Sequence, residues 1–334
     1  MYASWYERTG PADQVLQFGE IEIPSPGPDD VLVRVHTSGV NPSDTKGRNG
    51  NSRRPGTFSR IIPHSDGAGV IEAVGDAVSP SRVGERVWLW NAQFGRSFGT
   101  AAEYVVLPSI QAVHLPDSVD FAAGACLGIP ALTAHACLFG DGPIQGQTVL
   151  ISGGAGAVGH AAIQLAKWGG ATVITTISSP EKEAVARSAG ADYVLNYKNE
   201  DIATRIDEIT QHKGVDRIVD VAFGQNVLLD TSVIKRNGVI AIYGSDAEAY
   251  PRLPLFELLI KDITIHLVLV YILPDAARER GLADVNAALE AEALRPIIGA
   301  RFPLRETVQA HQALESGNVI GNVVIDVAES SPSR

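Results

Sequence analysis

The clearest pattern along the chain is an apolar run that leads into a glycine-rich turn and then a helical repeat. Thr148–Ile151 is short, apolar and rich in β-branched residues, which is typical of a buried parallel strand. Glycines follow at positions 153, 156 and 159. The segment Ala157–Trp168 then carries apolar residues at helical spacing, at Val158, Ala161, Ala162, Leu165 and Trp168. The pattern predicts a strand, a tight turn and a helix.

Strand-like and helix-like segments continue to alternate as far as Tyr243. In order they are Val149–Ile151, Ala157–Trp168, Thr172–Ile177, Glu181–Ala189, Tyr193–Leu195, Ile202–Ile209, Arg217–Val221, Val227–Ile234 and Gly238–Tyr243. A series of this kind predicts a doubly wound α/β domain, with a parallel sheet covered by helices on both faces.

The first 120 residues instead show short β-prone runs separated by turn residues, and we predict an all-β region. The runs are Ile21–Ile23, Val31–Val40, Gly69–Val74, Arg86–Trp90, Glu103–Val106 and Gln111–His114. Asn49–Arg60 is rich in arginine and glycine. We interpret it as a mobile surface loop, and the alternative is a lid over a pocket.

The pattern changes again after Pro116. Phe121–Phe139 is predicted to be helical, with breaks at Gly128 and Pro130. The remaining predicted segments are a strand at Ile263–Tyr271, a helix over 275–293, a return segment at Pro296–Ala300, a helix at Leu304–Glu315, a strand at Gly321–Val327 and a frayed tail at Glu329–Arg334.

Composition narrows the functional classes. The 334 residues suit two domains, and a hydrophobic content of 45% supports a sizeable core. A net charge of −11 argues against nucleic acid or an anionic membrane as the main partner. The two cysteines, Cys126 and Cys137, favour buried thiols in a reducing compartment. We see neither a signal peptide in Met1–Gly10 nor an apolar run long enough to span a membrane, and we predict a cytoplasmic protein.

The glycine turn predicts a dinucleotide site, because it follows a strand and begins a helix. Glycines let the backbone approach a pyrophosphate, whose charge the helix N-terminus stabilises. The predicted contacts are Gly153, Gly156, Ala157, Val158 and Gly159, whose glycines have a G-x-x-G-x-x-G spacing. The alternative is a simple tight turn between a strand and a helix.

The end of the next strand favours NADPH over NADH. An NAD site normally places an acidic residue on the ribose about twenty residues after the glycines. Here Ser178, Ser179 and Lys182 occupy that region, and they could hold a 2′-phosphate. Glu181 is the competing acid, but it belongs to the first turn of a predicted helix. The alternative is an ordinary helix cap with surface charges.

Several further motifs occur in a fixed order along the whole chain. They are Gly39–Asp44, Asp66–Val70, Gly84–Val87, Gly99–Tyr104, Gly128–Ala134, Asn196–Tyr197 and Tyr243–Ser245. With these motifs the chain resembles the zinc-free quinone oxidoreductase (zeta-crystallin-like) branch of the medium-chain dehydrogenase/reductase superfamily. The resemblance implies a GroES-like β-barrel catalytic domain, residues 1–122 and 296–334, and a Rossmann cofactor domain, residues 123–295, with the ligands held between them.

The resemblance also implies roles for individual residues. Asn41 would lie near the nicotinamide and donate a hydrogen bond to the substrate oxygen, which makes it the expected catalytic residue. The alternative for Asn41 is a turn residue before Pro42. The other implied cofactor contacts are Thr133, Tyr197, Phe223, Gly244, Ser245, Leu267, Val268 and Leu269.

The same alignment of motifs predicts no catalytic zinc. Zinc-dependent relatives carry metal ligands where this chain has Asn41, Ser65 and Ile129, and none of these three is a strong zinc ligand. We interpret His64, one position away, as a structural residue or a pocket liner. His135 and His266 are predicted to be packing or surface residues.

The implied reaction is hydride transfer from NADPH to a quinone or an α,β-unsaturated carbonyl compound. One alternative, an enoyl-thioester reductase, would need a tyrosine in the 41–60 loop, and none is present. Another is a non-catalytic, crystallin-type NADPH-binding protein. Finally, the uncharged segment Ile263–Tyr271 ends the βαβ series, and an edge strand of this kind predicts a homodimer joined through its sheets.

Overall fold

The computed structural model describes residues 1–51 and 58–327. The arginine-rich part of the predicted loop, residues 52–57, and the predicted tail lie outside the described residues. The chain forms two compact units. One unit contains Met1–Ile129 and the chain from Pro296 onward, and the other contains Pro130–Arg295. The first boundary therefore lies at 129/130, whereas the sequence placed it at 122/123.

Over the described residues the strands are β1 Tyr2–Trp5, β2 Gln17–Glu20, β3 Asp30–Val40, β4 Asp66–Val74, β5 Arg86–Leu89, β6 Tyr104–Pro108, β7 Ala112–His114, β8 Thr148–Ile151, β9 Thr172–Ile177, β10 Tyr193–Asn196, β11 Val215–Asp220, β12 Ile234–Ile242, β13 Thr264–Leu267, β14 Ile298–Pro303 and β15 Asn322–Asp326. The α-helices are α1 Ala12–Val15, α2 Pro42–Arg48, α3 Phe121–Gly124, α4 Leu132–Phe139, α5 Ala157–Trp168, α6 Pro180–Ser188, α7 Ile202–Ile209, α8 Phe223–Val233, α9 Leu255–Lys261, α10 Asp275–Glu290 and α11 Thr307–Glu315.

The first unit is built on a seven-stranded sheet in the order β14-β15-β3-β4-β5-β7, with β6 also paired to β3. The long strand β3 pairs with β6 over its first half and with β15 over its second half, while β4 follows its other side. Apolar side chains of these strands, among them Val33, Val35, Leu89, Val105 and Ile325, form the core of the unit. Thus β3 carries the chain from this core to Asn41.

The prediction that residues 1–120 are all-β is wrong at three places, the first of which is Ala12–Val15, the short helix α1. Ile21–Ile23 is not a strand, since the pairing with β1 ends at Glu20. Pro42–Arg48 is a helix, α2. Its signals were present in the sequence, because Asn41 precedes a proline at the first helical position and Asp44 follows three residues later. In the structure the Asn41 backbone N–H donates to Asp44 Oδ2 at 2.9 Å.

The second unit confirms the predicted parallel sheet. Its six strands lie in the order β10-β9-β8-β11-β12-β13, and all neighbouring pairs are parallel. Numbered from β8, this is the 3-2-1-4-5-6 order of a Rossmann domain. The strand order reverses between β8 and β11, so ligands are expected at the carboxyl ends of these strands.

The predicted strand Ile263–Tyr271 is much shorter than expected. As β13 it covers only Thr264–Leu267, because its neighbour β12 ends at Ile242, the partner of Leu267. The chain then makes a 3₁₀ turn at Val270–Ile272. β13 is nevertheless an edge strand of its sheet, as predicted.

Two further predictions concern the two cysteines and the possibility of a membrane-spanning helix. Cys126 and Cys137 are both buried free thiols, which confirms the prediction from the sequence. Among the described residues, no helix combines the length and the hydrophobicity required to cross a membrane.

Candidate cofactor and active site

The glycine turn between β8 and α5 is held by the backbone. Gly153 has a left-handed φ of 70°, where a side chain would be strained. The N–H group of Gly154 donates to the Thr176 carbonyl at 3.1 Å, and that of Gly156 donates to the Gly153 carbonyl at 3.0 Å. The turn is therefore fixed to β9 before the helix begins.

Two glycines in this turn allow the helix to approach the strand closely. A Cβ on Gly159 would lie 2.3 Å from the Gly153 carbonyl oxygen. A Cβ on Gly154 would lie 2.2 Å from Thr175 Oγ1, which donates to the Ile151 carbonyl at 2.7 Å. Sequence reasoning missed Gly154. Together with Gly156 and Gly159 it forms a G-x-G-x-x-G spacing, which overlaps the predicted spacing from Gly153.

The start of α5 is open to a ligand. Gly156 is exposed, and Ala157 and Val158 are half-buried. The first N–H groups of a helix have no intrahelical acceptor, and the dipole of the helix gives them partial positive charge. This backbone geometry fits a dinucleotide pyrophosphate, because the exposed Gly156 at the start of the helix carries no side chain that would keep a phosphate away from the backbone.

The residues predicted to choose the cofactor come together after β9. Lys182 Nζ lies 3.1 Å from Ser178 Oγ, and the Ser179 hydroxyl caps α6 by accepting from the Lys182 backbone N–H at 3.4 Å. A hydrogen bond with Ser179 lowers the pKa of Glu181. Tyr197 lies at the same edge, since its N–H group donates to the Ile177 carbonyl at 3.1 Å, and its side chain is exposed.

The predicted contacts after β11 and β12 also lie near one another. Ser245 Oγ accepts from the Gly224 N–H group at 3.0 Å, and the Gly244 carbonyl accepts from the Phe223 N–H group at 3.3 Å. The phenyl ring of Phe223, however, is buried in the core of the unit. Only its backbone therefore lies at this edge of the sheet.

The remaining predicted contacts of the second unit differ in exposure. Leu267 and Leu269 are exposed, at 74% and 52%, whereas Val268 is buried and donates its N–H to the Ile242 carbonyl at 2.8 Å. Thr133 is buried in the first turn of α4.

Asn41, in the first unit, is held by two acidic residues. The Asp44 carboxylate closes the turn through the Asn41 backbone, as the sequence suggested. Asn41 Nδ2 donates to Asp66 Oδ2 at 2.8 Å, and the N–H group of Ile129 donates to the same oxygen at 3.0 Å. Sequence reasoning used Asp66 only as part of a motif and missed this contact, because β4 and Asn41 are remote in sequence.

The three positions at which zinc-dependent relatives carry metal ligands hold Asn41, Ser65 and Ile129 in this chain. Ser65 and Ile129 are buried, and among the described residues no group of three or more His, Cys, Asp or Glu is placed to hold a metal. His64 is buried, with Nδ1 2.8 Å from Ser38 Oγ and Nε2 2.9 Å from His311 Nε2. This pairing agrees with a structural His64. His135, also buried, pairs with Asp284 at 2.7 Å.

Comparison with known proteins agrees with this architecture. Residues 27–117 match the alcohol dehydrogenase GroES-like domain, and residues 157–284 match the zinc-binding dehydrogenase family. Human quinone oxidoreductase is 32% identical over 318 residues, which cover 94% of this chain and 93% of that protein. The chain belongs to the quinone oxidoreductase branch of the medium-chain dehydrogenase/reductase superfamily.

Two other members of this superfamily illustrate its range. A 2-haloacrylate reductase from Burkholderia is 29% identical, covering 97% of this chain and 98% of its own. A mycobacterial protein solved in complex with NADPH is 28% identical, with a TM-score of 0.86 and coverage of 98% and 100%. The quinone oxidoreductase fold predicted from the sequence, a GroES-like domain and a Rossmann domain, is thereby confirmed.

Proposed function

We propose that this protein is an NADPH-dependent, zinc-free reductase of quinones or α,β-unsaturated carbonyl compounds. The observation that carries the proposal is the turn Gly154–Gly159, whose glycines let α5 pack closely on β8 and which bonds to Thr176 of β9, the strand that leads to the Ser178–Lys182 pair. The human quinone oxidoreductase and the Burkholderia 2-haloacrylate reductase support the two substrate classes.

The choice of NADPH rests on Ser178, Ser179 and Lys182. Two hydroxyls and an ammonium would satisfy a 2′-phosphate, whereas an acidic side chain at the end of β9 would repel it. Glu181 is an opposing charge, since a hydrogen bond with Ser179 lowers its pKa, but it lies in the first turn of α6 and not at the end of β9. The NADPH complex of the mycobacterial relative supports this assignment.

In the reaction, NADPH supplies the hydride. The side chain that we assign to the substrate is Asn41. Its amide donates one N–H to Asp66, and we assign the other N–H to an oxygen that gains negative charge as the hydride is transferred. A donor of this kind stabilises an enolate or a hydroquinone oxyanion without a metal.

Zinc independence follows from the chemistry of three positions. Asn41 uses its amide nitrogen to bond Asp66, Ile129 has no donor atom in its side chain, and the Ser65 hydroxyl is a weak ligand. We therefore propose that activity survives exhaustive chelation and that the purified protein carries no stoichiometric zinc.

We also propose a cytoplasmic homodimer. Leu267 and Leu269 are exposed at the edge of the Rossmann sheet, and Leu255, Phe256, Leu259 and Ile260 of α9 are exposed as well. Apolar side chains at an unpaired sheet edge favour association with a second copy. The two buried free thiols fit a reducing compartment.

The test is a spectrophotometric screen of NADPH oxidation with quinones, enones and acrylates, before and after chelation. We expect turnover with at least one of these classes and slower turnover with NADH. Tight NADPH binding without oxidation by any acceptor would instead favour the non-catalytic alternative.

A further inference from the structure

Asp66, the first residue of β4, has a side-chain carboxyl group that lies close to a glycine backbone. Its side chain is fully buried. A Cβ on Gly128 would lie 2.3 Å from Asp66 Oδ1. Gly39 is its partner in the β3–β4 ladder, and a Cβ there would lie 3.0 Å from the Cβ of Asp66. Gly128 thus leaves room for the buried carboxyl, whereas a Cβ on Gly39 would first meet the Ala125 carbonyl oxygen, at 2.0 Å.

The two oxygens of this carboxyl are used unequally. Oδ2 accepts from both Asn41 Nδ2 and the Ile129 N–H group, whereas Oδ1 has no hydrogen-bond partner among the described residues. Burial raises the pKa of Asp66 well above its usual range, because a charged carboxylate is costly away from water. The carboxyl therefore holds both donors, the Asn41 amide and the Ile129 N–H, through the single oxygen Oδ2.

We infer that Asp66 is a positioning residue, which fixes the side-chain amide of Asn41 so that the amide nitrogen, and not the amide oxygen, faces β4. The inference deepens the proposed function and rests on the role given there to Asn41.

The backbone of Ile129 makes the orientation definite. An asparagine amide turned by 180° exchanges its donor for its acceptor with little change in shape. Because Oδ2 already accepts the Ile129 N–H, an amide oxygen turned toward it would face another acceptor. Only the nitrogen of Asn41 satisfies Asp66, and the second N–H is then held in one direction.

Substitutions at Asp66 separate positioning from packing. Asp66→Asn keeps a carbonyl oxygen for the two donors, whereas Asp66→Leu keeps the branched shape of the side chain, is larger and has no acceptor. We expect Asp66→Leu to lower kcat with a quinone or an enone by about 10- to 100-fold, with a smaller change in the KM for NADPH. Asp66→Asn should restore kcat to within about threefold of the unmodified protein.

Two controls identify the cause of the loss. In an Asn41→Ala background, Asp66→Leu should have little further effect, since the amide that it orients is absent. Val35→Ala removes methyl groups from the core of the same unit and should lower Tm without lowering kcat well below the unfolding temperature. A full Asp66→Leu loss that persists in Asn41→Ala would overturn the inference.

A second readout does not depend on turnover. The side-chain amide of Asn41, identified by its loss in Asn41→Ala, should exchange slowly with solvent in ¹H–¹⁵N spectra of the unmodified protein and of Asp66→Asn. Fast exchange in the unmodified protein would contradict the inference even where Asp66→Leu fails to fold. A slowly exchanging amide in a protein that oxidises no NADPH would support the positioning role and reject the proposed function.

Discussion

The carboxyl ends of the Rossmann strands and the surroundings of Asn41 are built in different ways. At the carboxyl ends, the candidate site consists of backbone N–H groups of Gly154–Gly159 and of polar side chains from Ser178–Lys182. Around Asn41 it consists of two buried side chains, Asn41 directly after β3 and Asp66 of β4, and of the backbone N–H of Ile129. The first arrangement suits binding of a charged cofactor, and the second suits the orientation of one donor. Damage to the first should weaken binding, and damage to the second should slow the reaction.

The largest effect is expected at Gly159. In Gly159→Val the Cβ would lie 2.3 Å from the Gly153 carbonyl oxygen, so that α5 must move away from β8. We predict a loss of NADPH affinity of more than about 100-fold, measured by quenching of protein fluorescence. Gly281→Ala, whose Cβ would meet the end of the Leu132 side chain at 3.2 Å, is the matched control and should bind normally. Unchanged affinity in Gly159→Val would remove the turn from the cofactor site.

Asn41→Ala, in contrast to Gly159→Val, should slow the reaction more than it weakens NADPH binding. Removal of a single donor to a developing oxyanion costs about 100-fold in kcat, and NADPH affinity should change much less. Steady-state kinetics with a separate measurement of the NADPH Kd distinguish the two effects. If Asn41→Ala weakened NADPH binding without lowering kcat, Asn41 would be a binding residue, and the proposed difference between the two regions would be contradicted.

Leu267→Lys tests the role of β13, the exposed edge strand of the Rossmann sheet, in dimer formation. The side chain is 74% exposed, so a charge there should leave the fold intact while it disfavours contact with a second copy. Light scattering should report a dimer for the unmodified protein and a shift toward monomer for the variant. Ile110→Lys, at 67% exposure in the first unit, is the control. An unmodified protein that is monomeric at micromolar concentration contradicts the proposed assembly.

Lys182→Ala should have the smallest effect. Loss of one half-buried ammonium near a phosphate is expected to weaken NADPH binding by about tenfold, or about 1.4 kcal/mol, and to leave NADH binding unchanged. Lys167→Ala, which removes an ion pair with Asp192 elsewhere in the unit, should alter neither affinity. Equal affinities of the unmodified protein for the two cofactors would refute the assignment of Ser178 and Lys182.

The contrast also explains what could be predicted from the sequence. The Rossmann unit follows local periodicity, and the predicted bounds of α5, β9 and α7 agree with the structure. The helix α2 was missed although its capping signals are local. Asp66 and His311 could not be assigned, because each contacts its partner across a long stretch of chain. The length of β13 depends on where β12 ends, which no local pattern contains.

The most direct test of the central claim is the fate of the hydride. The protein would be incubated with an enone and NADPH that carries deuterium on the transferred position of its nicotinamide, and the reduced product would be analysed by mass spectrometry. We predict one deuterium on the β-carbon of the saturated product, formed without added metal and strongly diminished in Asn41→Ala. If all enones and quinones remain unreduced while NADPH stays bound, or if the product carries no deuterium, the protein is not the hydride-transferring reductase proposed here.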